Sequence, residues 1–367
     1  MPADRPRATI ALAAGGTGGH LFPAEALARE LIARGHAVVI HTERRGAQYA
    51  HALAGIDHVV LPASSLEGGA LAKVRAAWTI LRAVLASRGD LRRRRAALMV
   101  GFGGYPSFAP ALAAKSLGLP LLLHEQATRL SKANARLLRL ADGLATSFPA
   151  VAGADGFDPS RIVQTGNPVR QAILAARADY PPFDTAAPLH LLVVGGSQSA
   201  AVFGRVVPPA LALLPEGLRK RLRLSLQYRG DDADALAQQL RAIGIDATVR
   251  PFFEDMGERL RDAHLVLTRA GATTAADLLT IGRPGIFVPL PHGGAREEQR
   301  RNAETLAAAG VGWHVPEADL SPEALAALLR EAFESPHRLP DAARAAAALG
   351  RPDAAARLAD AVEQLLR

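Results

Sequence analysis

Cysteine is absent from all 367 residues, which excludes a disulfide framework and a thiolate metal site and fits a reducing compartment. Aromatic residues are scarce at 5%, and with no stacking motif among them nucleic acid ranks last among possible partners. No uninterrupted apolar run approaches the roughly 20 residues that a bilayer-spanning helix needs, so no transmembrane segment is predicted. The apolar run within MPADRPRATIALAAGG is too short for a signal-peptide core and enters a glycine turn directly. Neither an HExxH motif nor a serine-histidine-acid order is present. GxGxxG is also missing: the first glycine turn reads GGTGGH, which weighs against a nicotinamide-dependent oxidoreductase.

Apolar residues are plentiful at 49%, which excludes disorder, and the length suffices for two domains that each bury a core. The net charge of +8 is unevenly spread. Residues 1–165 carry 20 Lys+Arg against 11 Asp+Glu, whereas residues 166–367 carry 23 against 24. A basic N-terminal half attracts anionic lipid or an anionic substrate.

Short apolar strands alternate with helical stretches along the whole chain. They are predicted at Thr9–Ala13, Val38–His41, Val59–Leu61, Leu98–Val100, Leu121–Leu123 and Leu144–Thr146, and again at Leu189–Val194, Leu222–Gln227, Thr248–Arg250, His264–Thr268 and Gly285–Pro289. Such alternation implies an α/β protein with parallel, doubly wound sheets. The strand and glycine-turn design of the N-terminus (TIALA, then GGTGGH, then a helix from about Pro23) recurs at LHLLVV and GGSQSA. The chain therefore reads as two similar halves joined by the proline-rich stretch YPPFDTAAP, with boundaries at 1–165, 166–188 and 189–367, and a final helix that could pack back on the first half.

The most informative stretch is Thr268–Asn302. A buried strand enters the small-residue turn Ala270-Gly271-Ala272 and then a helix, whose first amides suit a phosphate. Asp277 lies about 7.5 Å further along that helix, in reach of a ribose. The next strand delivers Pro291, His292, Gln299 and Asn302 in a polar loop at a strand's carboxyl end, where sheets of this type bind ligands. In the first half, Leu71–Arg95 places Leu71, Val74, Trp78, Leu81 and Leu85 at helical spacing among arginines. That pattern is either a surface helix with its apolar face in the core or a patch that dips into a lipid headgroup region. Asp232-Ala233-Asp234 matches a DxD metal signature but sits where aspartates commonly cap helices.

GGTGGH (Gly15–His20), GFGGYPS (Gly101–Ser107), HEQ (His124–Gln126), TGNPVR (Thr165–Arg170), GGSQ (Gly195–Gln198), FFEDM (Phe252–Met256), RAGATT (Arg269–Thr274) and Gln299 with Asn302 occur in this order. Together they resemble the MurG family of bacterial glycosyltransferases, over about Thr9 to Asn302. The resemblance implies the GT-B fold, two Rossmann-like domains with an interdomain cleft. It also implies inverting transfer of N-acetylglucosamine from UDP-GlcNAc to the 4-hydroxyl of an undecaprenyl-linked muramyl-pentapeptide, lipid I to lipid II, in peptidoglycan synthesis. No cofactor and no metal are implied. The expected location is peripheral, on the cytoplasmic face of the inner membrane against an anionic surface.

Carried over by motif, the resemblance assigns His20 and Glu125 to catalysis. It assigns Thr17, Gly18, Gly19, Asn134, Arg170, Ser197, Phe253, Ala272, Thr273, Asp277, Gln299 and Asn302 to the donor. Tyr105, His124 and Gln126 fall on the acceptor side, which Thr17, His20 and Glu125 also line. His20 is the candidate general base, or else it only fixes its loop. Three positions depart from the family pattern: Asp277 stands for Glu, Ala127 for Asn and Ser199 for Gly. Another UDP-sugar transferase of the same fold, or a catalytically weak nucleotide-sugar-binding protein, are the alternative readings.

Overall fold

The computed structural model describes residues 7–15, 18–49, 53–64, 69–184, 187–195, 201–293 and 296–367. The chain divides into two compact units, Met1–Arg170 with Arg351–Arg367, and Gln171–Gly350. Each is a doubly wound parallel sheet with helices on its faces, as the alternation of strands and helices predicts.

In the first unit seven strands, β1 (Thr9–Ala13), β2 (Ala37–Thr42), β3 (Asp57–Val60), β4 (Ala96–Gly101), β5 (Leu121–Glu125), β6 (Gly143–Thr146) and β7 (Ile162–Gln164), lie in the order 3-2-1-4-5-6-7. The order reverses between β1 and β4, so the ligand-binding position is beyond their carboxyl ends. Side chains of β1 alternate between faces. Ile10 and Leu12 pack under helix Gly18–Ala33 and the chain's last helix, Ala354–Leu365, whose Leu358 and Val362 are fully buried there. Ala11 and Ala13 face the opposite core, with Leu91, Ala111 and Leu137. The last helix is fastened further by Arg34 on Asp360 and Glu363 and by His36 on Glu363.

The second unit orders β8 (Leu189–Val194), β9 (Leu222–Gln227), β10 (Asp246–Arg250), β11 (Leu265–Thr268), β12 (Gly285–Phe287) and β13 (Gly312–His314) as 10-9-8-11-12-13, reversing between β8 and β11. Helices Ala201–Ala212 and Pro322–Glu334 fill one core with Phe203, Val207, Leu325 and Leu329. Residues 171–183, read from sequence as part of a linker, run along this unit. Arg177 donates to the Thr280 carbonyl, Tyr180 to that of His264, and the buried Arg283 guanidinium donates to carbonyls including Ala178, Asp179, Leu260 and Arg261.

Three sequence expectations are corrected. Helix Gly18–Ala33 starts five residues before Pro23, because Leu21 and Ala24 bury against the sheet and override the weak helix propensity of glycine. Strands β7 and β13 were not anticipated; three residues are too few for a period of two to show. Gln299 and Asn302 lie in helix Arg296–Ala308, not in a loop: Glu297 and Glu298 suit its first turn, and Arg300 and Arg301 pair with Glu297 at helical spacing.

Helix Ala70–Arg94 packs its small-residue face inward. Ala76, Ala83, Ser87, Asp90 and Leu91 are buried, whereas Val74, Trp78, Leu81 and Leu85 are 66%, 63%, 46% and 59% exposed. The apolar stripe is therefore not core. A sealed polar cluster holds the helix to β2: Ser87 Oγ donates to His41 Nδ1 at 3.0 Å, and His41 Nε2 donates to Asp90 at 2.9 Å. With Arg94 also on Asp90, the His41 contact foremost holds that carboxyl down to about 2. Serine, histidine and acid meet here, but all three are buried beyond reach of a substrate.

Candidate functional site

In the first unit the turns after β1, β2 and β4 converge. Gly103 and Gly104 have φ of 81° and 71°, a left-handed backbone that a side chain would strain. They also lie against His20: a Cβ on Gly104 would stand 3.4 Å from its Nε2. A Cβ on Gly15 would meet Thr42 Oγ1 at 3.0 Å and Glu43 and Pro106 at 3.3 Å, so the β1 turn is wedged between its neighbours. Burial lowers the His20 imidazole to about 4, leaving it neutral near pH 7. Gly18 and Gly19 open the same helix, and Thr17 lies outside the described residues.

His124 and Glu125 end β5 and are buried beside this turn. His124 donates from Nε2 to the Gly166 carbonyl at 3.1 Å, and burial, outweighing that bond, lowers it to about 4. Glu125 accepts from the backbone of Ala127 (3.2 Å) and Ser131 (2.8 Å) and from the Asn134 amide (2.9 Å). Burial raises its pKa against the pull of these bonds. Asn134 is fully buried in the first unit, where its amide also donates to the His124 carbonyl at 3.0 Å. Ala127, one of the departures, is buried and serves Glu125 with its backbone, which any residue supplies. Gln126 is buried, Tyr105 opens helix Tyr105–Lys115 partly exposed, and the Arg170 guanidinium lies 4.5 Å over the Phe22 ring.

In the second unit the turn after β11 runs into helix Ala272–Ile281, capped by Gly271, which brings no side-chain oxygen to the first amides at Ala272 and Thr273. This is the arrangement that receives a phosphate. Two amide side chains brace it from helix Arg296–Ala308. Asn302 donates to the Ala270 carbonyl at 3.1 Å, and Gln299 accepts from the Leu290 amide at 3.1 Å, so the turns after β11 and β12 share one support. Asp277 is buried on the helix that starts at Ala272. Phe253 follows β10, its buried ring under the Arg259 guanidinium at 4.1 Å, and Ser197 and Ser199 lie outside the described residues.

Sequence reasoning missed Arg269. It donates to the Val288 and Pro289 carbonyls and pairs with Glu317 at 2.6 Å, locking β11, β12 and residue 317 together. Its signal was an arginine directly after a buried strand, where burial demands a partner. Asp232, of the DxD candidate, stands at the N-cap position of helix Ala233–Ala242 without a capping side-chain hydrogen bond, and its carboxylate accepts from Tyr228 at 2.8 Å.

Two doubly wound units, with site residues beyond β1 and β4 in the first and beyond β11 in the second, have the architecture of the GT-B class. The chain belongs to glycosyltransferase family 28: that family's N-terminal domain matches residues 10–146 and its C-terminal domain residues 190–360. A relative from Rhodospirillum centenum, named UDP-N-acetylglucosamine--N-acetylmuramyl-(pentapeptide) pyrophosphoryl-undecaprenol N-acetylglucosamine transferase, is 49% identical over 97% of this chain and 94% of its own. A protein of the same name from Granulibacter bethesdensis is 44% identical over 100% and 96%. The crystal structure of Acinetobacter baumannii MurG superposes with a TM-score of 0.76 at 29% identity, covering 97% of this chain and 99% of that one. A Polygonum tinctorium UDP-glucosyltransferase shares the fold, with a TM-score of 0.71 at 16% identity.

Proposed function

We propose that the protein transfers N-acetylglucosamine from UDP-GlcNAc to the 4-hydroxyl of the muramyl sugar of undecaprenyl-pyrophosphoryl-MurNAc-pentapeptide, converting lipid I to lipid II. The observation that carries this reading is the second unit's turn, where a helix start whose N-cap, Gly271, carries no side chain is braced by Asn302 and Gln299 and is followed on the same helix by Asp277, in a chain 49% identical to a transferase of that name. The donor's diphosphate takes the amides of Ala272 and Thr273, Asp277 takes the ribose hydroxyls, and Gln299 and Asn302 set the sugar's place through the turns they brace. The acceptor belongs to the first unit, against His20, Tyr105, His124 and Gln126.

The 4-hydroxyl oxygen bonds to the anomeric carbon as the bond to UDP breaks from the opposite face, inverting the centre. The electron pair leaves on the diphosphate, where helix-start amides stabilise it. The hydroxyl proton goes to neutral His20, whose depressed pKa rises once the anionic acceptor lies beside it. Glu125 and Asn134 shape the loop that carries Gln126. A polyprenyl acceptor stays in the bilayer, so the enzyme works at an anionic membrane surface, peripherally and from the cytoplasmic face. The exposed Val74, Trp78, Leu81 and Leu85 stripe among arginines supports this, and no described helix is long and apolar enough to cross a membrane.

The stereochemistry of the product tests the mechanism. An inverted, β-linked disaccharide formed in excess EDTA is expected; a retained α-linkage, or transfer that returns only with added divalent cation, overturns it.

A further inference from the structure

A cavity of about 420 Å³ opens beside the β1 turn, at the carboxyl ends of β2 and β3, and of its lining the reaction above uses Tyr105 alone. Glu43, Arg44, Arg45, Gln48, Ser64 and Tyr105 line it. We propose that this cavity is the subsite for the acceptor's peptide, with the guanidiniums of Arg44 and Arg45 pairing with its free carboxylates. The inference rests on the transfer reading above.

Four observations carry it. Arg44 and Arg45 are exposed on the cavity wall, and among the described residues neither forms an ion pair. Among the described lining residues the one acid, Glu43, is buried and spends its oxygens on the backbone amides of Arg45 (2.8 Å) and Gly46 (2.9 Å), which fixes the turn that presents both arginines. The cavity adjoins the catalytic turns: a Cβ on Gly46 would stand 3.3 Å from the Gly15 Cα, and Tyr105 follows Gly104 directly. Finally, the rest of the wall is an amide, a hydroxyl, a methyl from Ala63 and a phenol ring, which suits a peptide backbone and small side chains. The planar fork of arginine matches a carboxylate, and a phosphate of the same acceptor offers the competing oxyanion.

The test measures steady-state kinetics of the full-length Arg44→Ala/Arg45→Ala protein with three lipid-linked acceptor analogues: pentapeptide, pentapeptide with amidated carboxylates, and peptide-free. With the free-carboxylate pentapeptide the acceptor KM is expected to rise about tenfold, with kcat and the KM for UDP-GlcNAc unchanged. With the other two acceptors the variant and the wild type are expected to behave alike. A penalty of equal size on all three assigns the arginines to the diphosphate and overturns the proposal, as does no penalty on any. The Arg44→Lys/Arg45→Lys protein, which keeps the charge and loses the fork, is expected between the two. A wild type that transfers to none of the three overturns the transfer reading itself, a result distinct from an active wild type with an unperturbed variant.

Discussion

Burial keeps His20 and His124 neutral, and this ties the chemistry of the first unit to its stability. Each has a folded pKa of about 4 against 6.5 for a free histidine. Between those values the unfolded chain binds more protons, so stability rises with pH; the contribution is complete above about 6.5 and is lost as pH falls toward 4. Glu125, raised from 4.5 by burial, acts in the opposite sense above that value. His124→Gln keeps a donor for the Gly166 carbonyl and removes one titrating ring. The stability difference between pH 7 and pH 5, from urea unfolding at each, is expected to shrink by about 1–2 kcal/mol in the variant; an unchanged difference would show that this ring is not held neutral. On the donor side, Asp277→Ala is expected to weaken UDP binding by about 1.5–3 kcal/mol, the range for a charged hydrogen bond, read by calorimetry. Sequence gave the positions of His20, His124 and Asp277 through their motifs. It could not give their charge states, which depend on neighbours as distant as Gly166.

Helices at this site do two jobs, support and display, and sequence distinguishes them poorly. Helix Arg296–Ala308 is support: Asn302→Ala removes the bond to the buried Ala270 carbonyl and is expected to cost about 1–3 kcal/mol in stability, measured by denaturant unfolding, and to loosen UDP binding. Its polar composition reads as loop until the buried face of Gln299, Asn302, Ala303 and Leu306 is seen. Helix Ala70–Arg94 is display. Its apolar spacing was legible, but its orientation was not, because the inward face is built from alanines and the Ser87–His41–Asp90 cluster, whose parts come from β2 and the helix. Trp78→Ser/Leu81→Ser is expected to leave the melting temperature unchanged, since both side chains are exposed, and to reduce co-sedimentation with anionic vesicles. A variant that unfolds, or that sediments like the parent, returns this helix to an ordinary surface role.

At the scale of the whole molecule the chain is organised as two repeats of one design whose ends cross over. The alternation of strands and helices made both sheets legible, and the repeat of a strand with a glycine turn made their correspondence legible. Assignment of the last helix to the first unit was not fixed by pattern, because an amphipathic alanine-rich helix fits either sheet. Leu358 and Val362 settle it by filling the face above Ile10 and Leu12. Leu358→Ala is therefore expected to destabilise the first unit by about 2–5 kcal/mol while UDP affinity, a property of the second, is kept. The central claim joins the two units in one reaction, and a single measurement addresses it: transfer of radiolabel from UDP-N-acetylglucosamine to a short-chain undecaprenyl-type MurNAc-pentapeptide acceptor by the purified full-length protein. The account predicts label in the lipid-linked product, strongly reduced by Asp277→Ala and by His20→Ala. Hydrolysis of the donor without label in the acceptor, or labelling that survives both substitutions unchanged, would contradict it.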